Sequence, residues 1–98
     1  MTDTELLEGM RRHDNKAVEA VYKLCRPGVF SYVQQNSGTR MEAMDVLQDA
    51  MLATYMQATG EDFQLTSALN TYIQGIARRL WLKEIERYKN RYKPDNTL

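Results

Sequence analysis

This 98-residue chain holds one cysteine, one histidine, two prolines and five glycines, so it is poor in the residues that staple, ligate and turn. The lone Cys25 has no partner for an internal disulfide, which excludes a bridged scaffold and makes a reducing cytoplasm the expected compartment. His13 lies in the polar break His13-Asp14-Asn15 and belongs to no cluster with metal-ligand spacing; a solvated linker histidine is expected. There is no Gly-rich phosphate loop, so no catalytic residues, metal ligands or cofactors are assigned and the chain reads as a non-enzyme. No apolar run approaches the ~20 residues that span a bilayer. Met1-Thr2-Asp3-Thr4-Glu5 is acidic and polar, unlike a signal peptide. With few Gly and Pro and much Leu, Ala, Met, Glu, Lys, Arg and Gln, the composition favours helix over sheet.

Net charge is zero, but the charge is segregated. Residues 1–77 carry a net −4 and residues 78–93 a net +5. Such asymmetry points to an anionic partner for the basic part. The competing reading is that Lys and Arg gather at a helix C-terminus to complement its dipole; seven cations exceed what one last turn needs.

The length allows a single domain with one modest core. Apolar spacing predicts four helices and no strands. Asp3 is expected to cap a short helix over 4–12 with Leu6, Leu7 and Met10 on one face. A second helix is expected over 15–36, with Val18, Val21, Tyr22, Cys25, Val29, Tyr32 and Val33 inward and Pro27-Gly28 producing a kink or a junction of two helices. Asn36-Ser37-Gly38 should end it, with Gly38 left-handed. Thr39 and Glu42 have the spacing of a capping box for a third helix reaching Ala58, its apolar face being Met44, Leu47, Met51, Leu52 and Tyr55. Phe63 and Leu65 are expected to plug the following loop into the core. Thr66 or Ser67 should cap a fourth helix over 67–91, with Leu69, Ile73, Ile76, Leu80 and Trp81 buried. Residues 92–98 read as a flexible tail. The expected fold is all-α, a compact bundle of three main helices plus a short N-terminal one.

Two constellations carry chemical meaning. Asp45, Gln48 and Asp49 are spaced i, i+3, i+4 and share a stripe of the third helix. A solvated face explains that stripe, and so does docking on a basic protein surface; phosphates would be repelled. On the fourth helix, Arg79, Lys83 and Arg87 form a basic ridge with Arg78 beside its start. Ser67, Asn70 and Tyr72 lie in its first turns, and Glu61, Asp62 and Gln64 in the loop ahead of it. Cations neutralise phosphates, while aromatic and amide groups stack on or bond to exposed bases. Tyr72 neighbours Ile73 and Ile76 on the helical wheel, so a core position is its competing reading.

Taken in order, the pieces resemble region 2 of sigma-70 family factors, and most closely the small extracytoplasmic-function group. In that family a helix reading approximately Ala-Glu-Asp-Leu-Val-Gln-Glu-Val-Phe-Leu docks on the β′ clamp helices of RNA polymerase. Ala43-Met44-Asp45-Val46-Leu47-Gln48-Asp49-Ala50-Met51-Leu52 is its counterpart, with Met44 in place of a frequent acid. A later family helix reads approximately Trp-Leu-x-x-Ile-Ala-Arg-Asn. Tyr72-Ile73-Gln74-Gly75-Ile76-Ala77-Arg78-Arg79 answers to it, with Tyr72 for Trp and Arg79 for Asn. Lys16 to Leu24, through Pro27 and Val29, is similar to the family's first core helix.

The resemblance covers about residues 5–90. It implies that Asp45, Gln48, Asp49 and Leu52 bind core polymerase. It further implies that Gln64, Ser67, Asn70, Tyr72, Arg78, Arg79, Lys83 and Arg87 meet single-stranded DNA of the promoter −10 element, with Arg79 on phosphate. An anti-sigma factor is a further partner that it admits. The two surfaces are expected on oppositely charged sides of the bundle. A second helical domain reading the −35 element, usual in the family, has no counterpart in 1–98. Two alternatives stay open: a helical interaction module with no DNA role, and a sigma-like domain that titrates polymerase or an anti-sigma factor.

Overall fold

The computed structural model describes residues 1–60 and 62–91. Four helices follow one another: α1 (Asp3–Arg11), α2 (Asn15–Gln35), α3 (Arg40–Ala58) and α4 (Leu69–Arg91). No strand occurs among the described residues. The three long helices pack side by side as an all-α bundle, α3 antiparallel to both neighbours, and α1 braces one end. Glu61 and the tail expected over 92–98 lie outside the described residues.

The helix ends are set by local chemistry, and two of them differ from expectation. Thr2, not Asp3, caps α1. Its hydroxyl accepts from Glu5 N–H at 3.2 Å while the Glu5 carboxylate accepts from Thr2 N–H at 2.9 Å. These bonds to Thr2 hold the Glu5 carboxyl below its ordinary range. Asp3 is thereby free to reach across the fold, where its carboxylate accepts from the Leu69 N–H at 2.9 Å. The first turn of α4 is satisfied by Asp3, not by Thr66 or Ser67, and α4 begins two residues later than expected. At the opposite end of α1, the Arg11 guanidinium donates to the Ala58 carbonyl at the C-terminus of α3 (2.6 Å).

α2 passes through Pro27 as one helix, so two shorter helices do not form. At its end the left-handed residue is Ser37 (φ 73°), and Gly38 is not left-handed. The Gly38 N–H donates to the Val33 carbonyl at 2.8 Å, closing a Schellman motif one residue offset from the expected one. Gly38 is required for space: a Cβ there would collide with Val33 and come within 2.7 Å of the Trp81 ring. Trp81 in turn donates from its indole N–H to the Asn36 carbonyl (3.0 Å), sealing the end of α2. The capping box of α3 forms as expected, with reciprocal Thr39–Glu42 bonds of 2.9 and 3.1 Å.

Val21, Cys25, Val29 and Val33 of α2 meet Leu69, Ile73, Ile76 and Trp81 of α4 in the core, with Leu6, Leu7 and Met10 of α1 closing one end. Tyr22, Tyr32 and Leu80, expected inside, are half-buried, and Val18 is exposed. The larger correction concerns α3. Of its five expected core residues only Leu47 is buried; Met51 and Tyr55 are half-buried, and Met44 and Leu52 are exposed. Its inward face is instead Ala43, Val46, Leu47, Ala50, Thr54 and Ala58. Small side chains let the helix sit close to α2 and α4, and the one polar member, Thr54, donates to the Ala50 carbonyl (2.8 Å). Phe63 and Leu65 pack half-buried against the core, as expected.

Candidate functional site

Turning α3 so that its small residues face inward fixes what it shows outside. With about 3.6 residues per turn, Met41, Asp45, Gln48, Leu52 and Met56 fall on one line and Met44 and Asp49 flank it. All seven are exposed. Leu52 is 57% exposed, Met41 78% and Met56 64%, and with Met44 they form a contiguous apolar line and not scattered single residues. The stripe therefore joins two carboxylates and an amide with a line of soft apolar groups. Met41 and Met56 were missed as members; helical spacing from Asp45 and Gln48 would have found them. Asp45, Gln48, Asp49 and Leu52, the residues expected to meet a protein partner, do share this face.

The α4 set divides. Tyr72, Arg79, Lys83 and Arg87 lie along one flank, whereas Asn70 and Arg78 are turned toward α2. Asn70 accepts from the Gln74 amide (3.0 Å), which also donates to the Cys25 carbonyl (2.9 Å). The Arg78 guanidinium sits 5.3 Å above the Tyr32 ring. Both belong to the α2–α4 seam because successive residues point about 100° apart, so adjacency to Arg79 in sequence puts Arg78 on a different face. Tyr72 is half-buried, its ring edge-on to Phe63 (centroids 5.6 Å apart). Gln64 and Ser67 are exposed near the head of α4, and the Ser67 hydroxyl donates to the Ala68 carbonyl (3.3 Å).

The expectation of two oppositely charged sides also needs correction. Lys83 and Arg87, with Leu80, Glu84, Glu86 and Asn90, form one wall of a groove of about 700 Å³ whose other wall is Glu42, Asp45 and Asp49; Val46 and Trp81 also line it. The acidic stripe and the lower part of the basic ridge are thus neighbours, because α3 runs antiparallel to α4 and brings its N-terminal half beside residues 80–90. Arg87 is already paired with Glu84 (3.3 Å). Arg79 is exposed and does not line the groove.

His13 is not a simply solvated linker. It is left-handed (φ 60°), stacks tilted on Tyr55 with centroids 5.0 Å apart, and shares a 2.9 Å hydrogen bond between Nε2 and the Tyr55 hydroxyl. Cys25 is buried, and burial pushes its thiol up to about 11, with the charge of Asp3 adding to the effect. At neutral pH it is therefore a poor nucleophile. Among the described residues no group of three or more His, Cys, Asp or Glu is placed to hold a metal ion. Among them, too, no helix is long and apolar enough to cross a membrane. In comparison with known proteins, the chain matches no family model, no curated protein and no solved structure.

Proposed function

We propose that this chain is a sigma region 2-like module that docks on core RNA polymerase through the outer stripe of α3. The fourth helix and its preceding loop then work on the promoter −10 element. The observation that carries this reading is the exposure, on one face, of Asp45, Gln48, Asp49 and Leu52 between Met41 and Met56. Apolar anchors supply contact area once water is displaced, and carboxylates beside them select a basic surface and fix the register. A helical coiled coil with Arg or Lys along its side has that complementary chemistry. On the DNA side, Arg79 is exposed and clear of the acidic wall, and Tyr72, Ser67 and Gln64 lie ahead of it, in the first turn of α4 and the loop before it. Unstacked bases of one strand would be met there, with Arg79 on phosphate.

The test is co-purification with core RNA polymerase. Wild-type protein is expected to be retained, and Asp45→Arg or Gln48→Ala to be retained less, each with unchanged helical content. Equal retention of both variants would remove this face as the docking surface; no retention of wild type would reject the reading.

A further inference from the structure

Of the five glycines in the chain, four have a reason within the fold. A Cβ at Gly9 would collide with Ala17, one at Gly28 would come within 2.6 Å of the Gln74 amide nitrogen, and one at Gly38 would press on Val33 and Trp81. A Cβ at Gly60 would come within 3.2 Å of the Gln57 carbonyl. Gly75 is different. It lies inside α4, a Cβ there would meet nothing within 4 Å, and its φ is not positive. Neither packing nor backbone conformation therefore asks for glycine. Glycine is nevertheless a poorer helix former than alanine, so the position carries a local cost that no internal contact offsets.

Its place on α4 shows what the bare backbone faces. Successive residues turn by about 100°, which sets Gly75 opposite the buried Ile73 and Ala77 and in line with the exposed Thr71 and Leu82. Arg79 follows one turn later on one side of that line, and Arg78, over the Tyr32 ring, on the other. From Leu69 to Leu82 the helix carries these two cations and no carboxylate. Glu84, the first acid beyond them, stands about 14 Å from Gly75 along the axis at about 1.5 Å per residue. Gly75 takes no part in the acidic groove, whose α4 wall begins at Leu80.

We infer that Gly75 is the close-contact point for one nucleotide of single-stranded DNA, whose sugar and base lie flat on the bare helix while the adjoining phosphate reaches Arg79. The inference rests on the proposed reading that α4 works on an unstacked strand, and it adds the surface on which that strand lies. The peptide N–H groups here are already bonded within α4, so the contact is one of shape, with weak Cα–H···O bonds, and Arg79 supplies the charge. A methyl group at this position would hold the strand away from the helix and lengthen its reach to Arg79.

Gly75→Ala and Gly75→Leu test this, because both keep the net charge and both replace glycine with a better helix former. Each is expected to unfold at a higher urea concentration than wild type. Anisotropy of a labelled A/T-rich single-stranded oligonucleotide, titrated with the whole chain at low salt, is expected to show binding weakened severalfold by Gly75→Ala. For Gly75→Leu the loss should be about tenfold, as for one missing base contact. A purely structural role for Gly75 would not combine a firmer fold with poorer binding. Wild-type affinity in Gly75→Leu would overturn the inference while leaving α4 as a DNA-binding helix. An oligonucleotide that wild type itself does not bind would reject that reading and the inference with it. Unchanged oligonucleotide binding by Gly75→Leu, with retention on core RNA polymerase lost, would assign the bare face to a protein contact and also overturn the inference.

Discussion

Single residues in this bundle are chosen for contrasting reasons, and the glycines show it best. Gly75 lies within α4, and a Cβ there would meet nothing within 4 Å. Glycine in a helix interior costs about 1 kcal/mol relative to alanine, so Gly75→Ala is expected to raise unfolding free energy by about that amount. Gly38→Ala should lower it, since its Cβ would press on Val33 and Trp81. Urea denaturation of the pair measures both, and a stabilising Gly38→Ala would contradict the packing described. Cys25 gives a pH dependence. Its thiol is raised from 9.0 to about 11 in the fold, so the unfolded chain ionises first as pH rises. The stability it contributes is intact below pH 9 and is lost as pH climbs through about 11. Comparing Cys25→Ala with wild type over that window is expected to show a shallower decline for the variant. Spacing alone marked Cys25 as inward, but nothing in the sequence marks Gly38 as a packing glycine. That role depends on Trp81, forty-three positions away.

At the scale of the helices, the ends matter more than the middles. Capping boxes written locally, such as Thr39 with Glu42, were legible because both partners lie within one turn. The cap of α4 was not, because its acceptor is Asp3, at the far end of the chain. Asp3→Ala is expected to cost about 1 kcal/mol and to speed hydrogen exchange at the first turn of α4 while leaving that of α3 unchanged. Unaltered exchange at Leu69 would show that the bond contributes nothing. The buried face of α3 departs from its hydrophobic spacing for a related reason. Ranking by side-chain size favours Met44, Met51 and Leu52, whereas close packing against two neighbours favours Ala43, Ala50 and Ala58. Hydrophobicity identified the helix; the tightness of the seam decided its rotation.

Across the whole molecule, antiparallel α3 and α4 bring together charges that are separate in sequence. The charge segregation could be read from composition, but not its arrangement around one groove. That arrangement distinguishes the cations of α4. Arg79 stands clear of the acidic wall, while Lys83 and Arg87 face it. In the proposed function, Arg79→Glu is expected to weaken binding of a single-stranded −10 oligonucleotide severalfold at low salt and less at high salt. Arg78→Glu, which loses its contact with Tyr32, should affect binding less than stability. If both variants bind as wild type does, the exposed flank of α4 is not a nucleic-acid surface. Trp81, the only tryptophan in the chain, is 4% exposed and lies in the lining of the α3–α4 groove. The molecule thus carries an intrinsic fluorophore in the α3–α4 seam, and a substitution that repacks the two helices should shift its emission without any added dye.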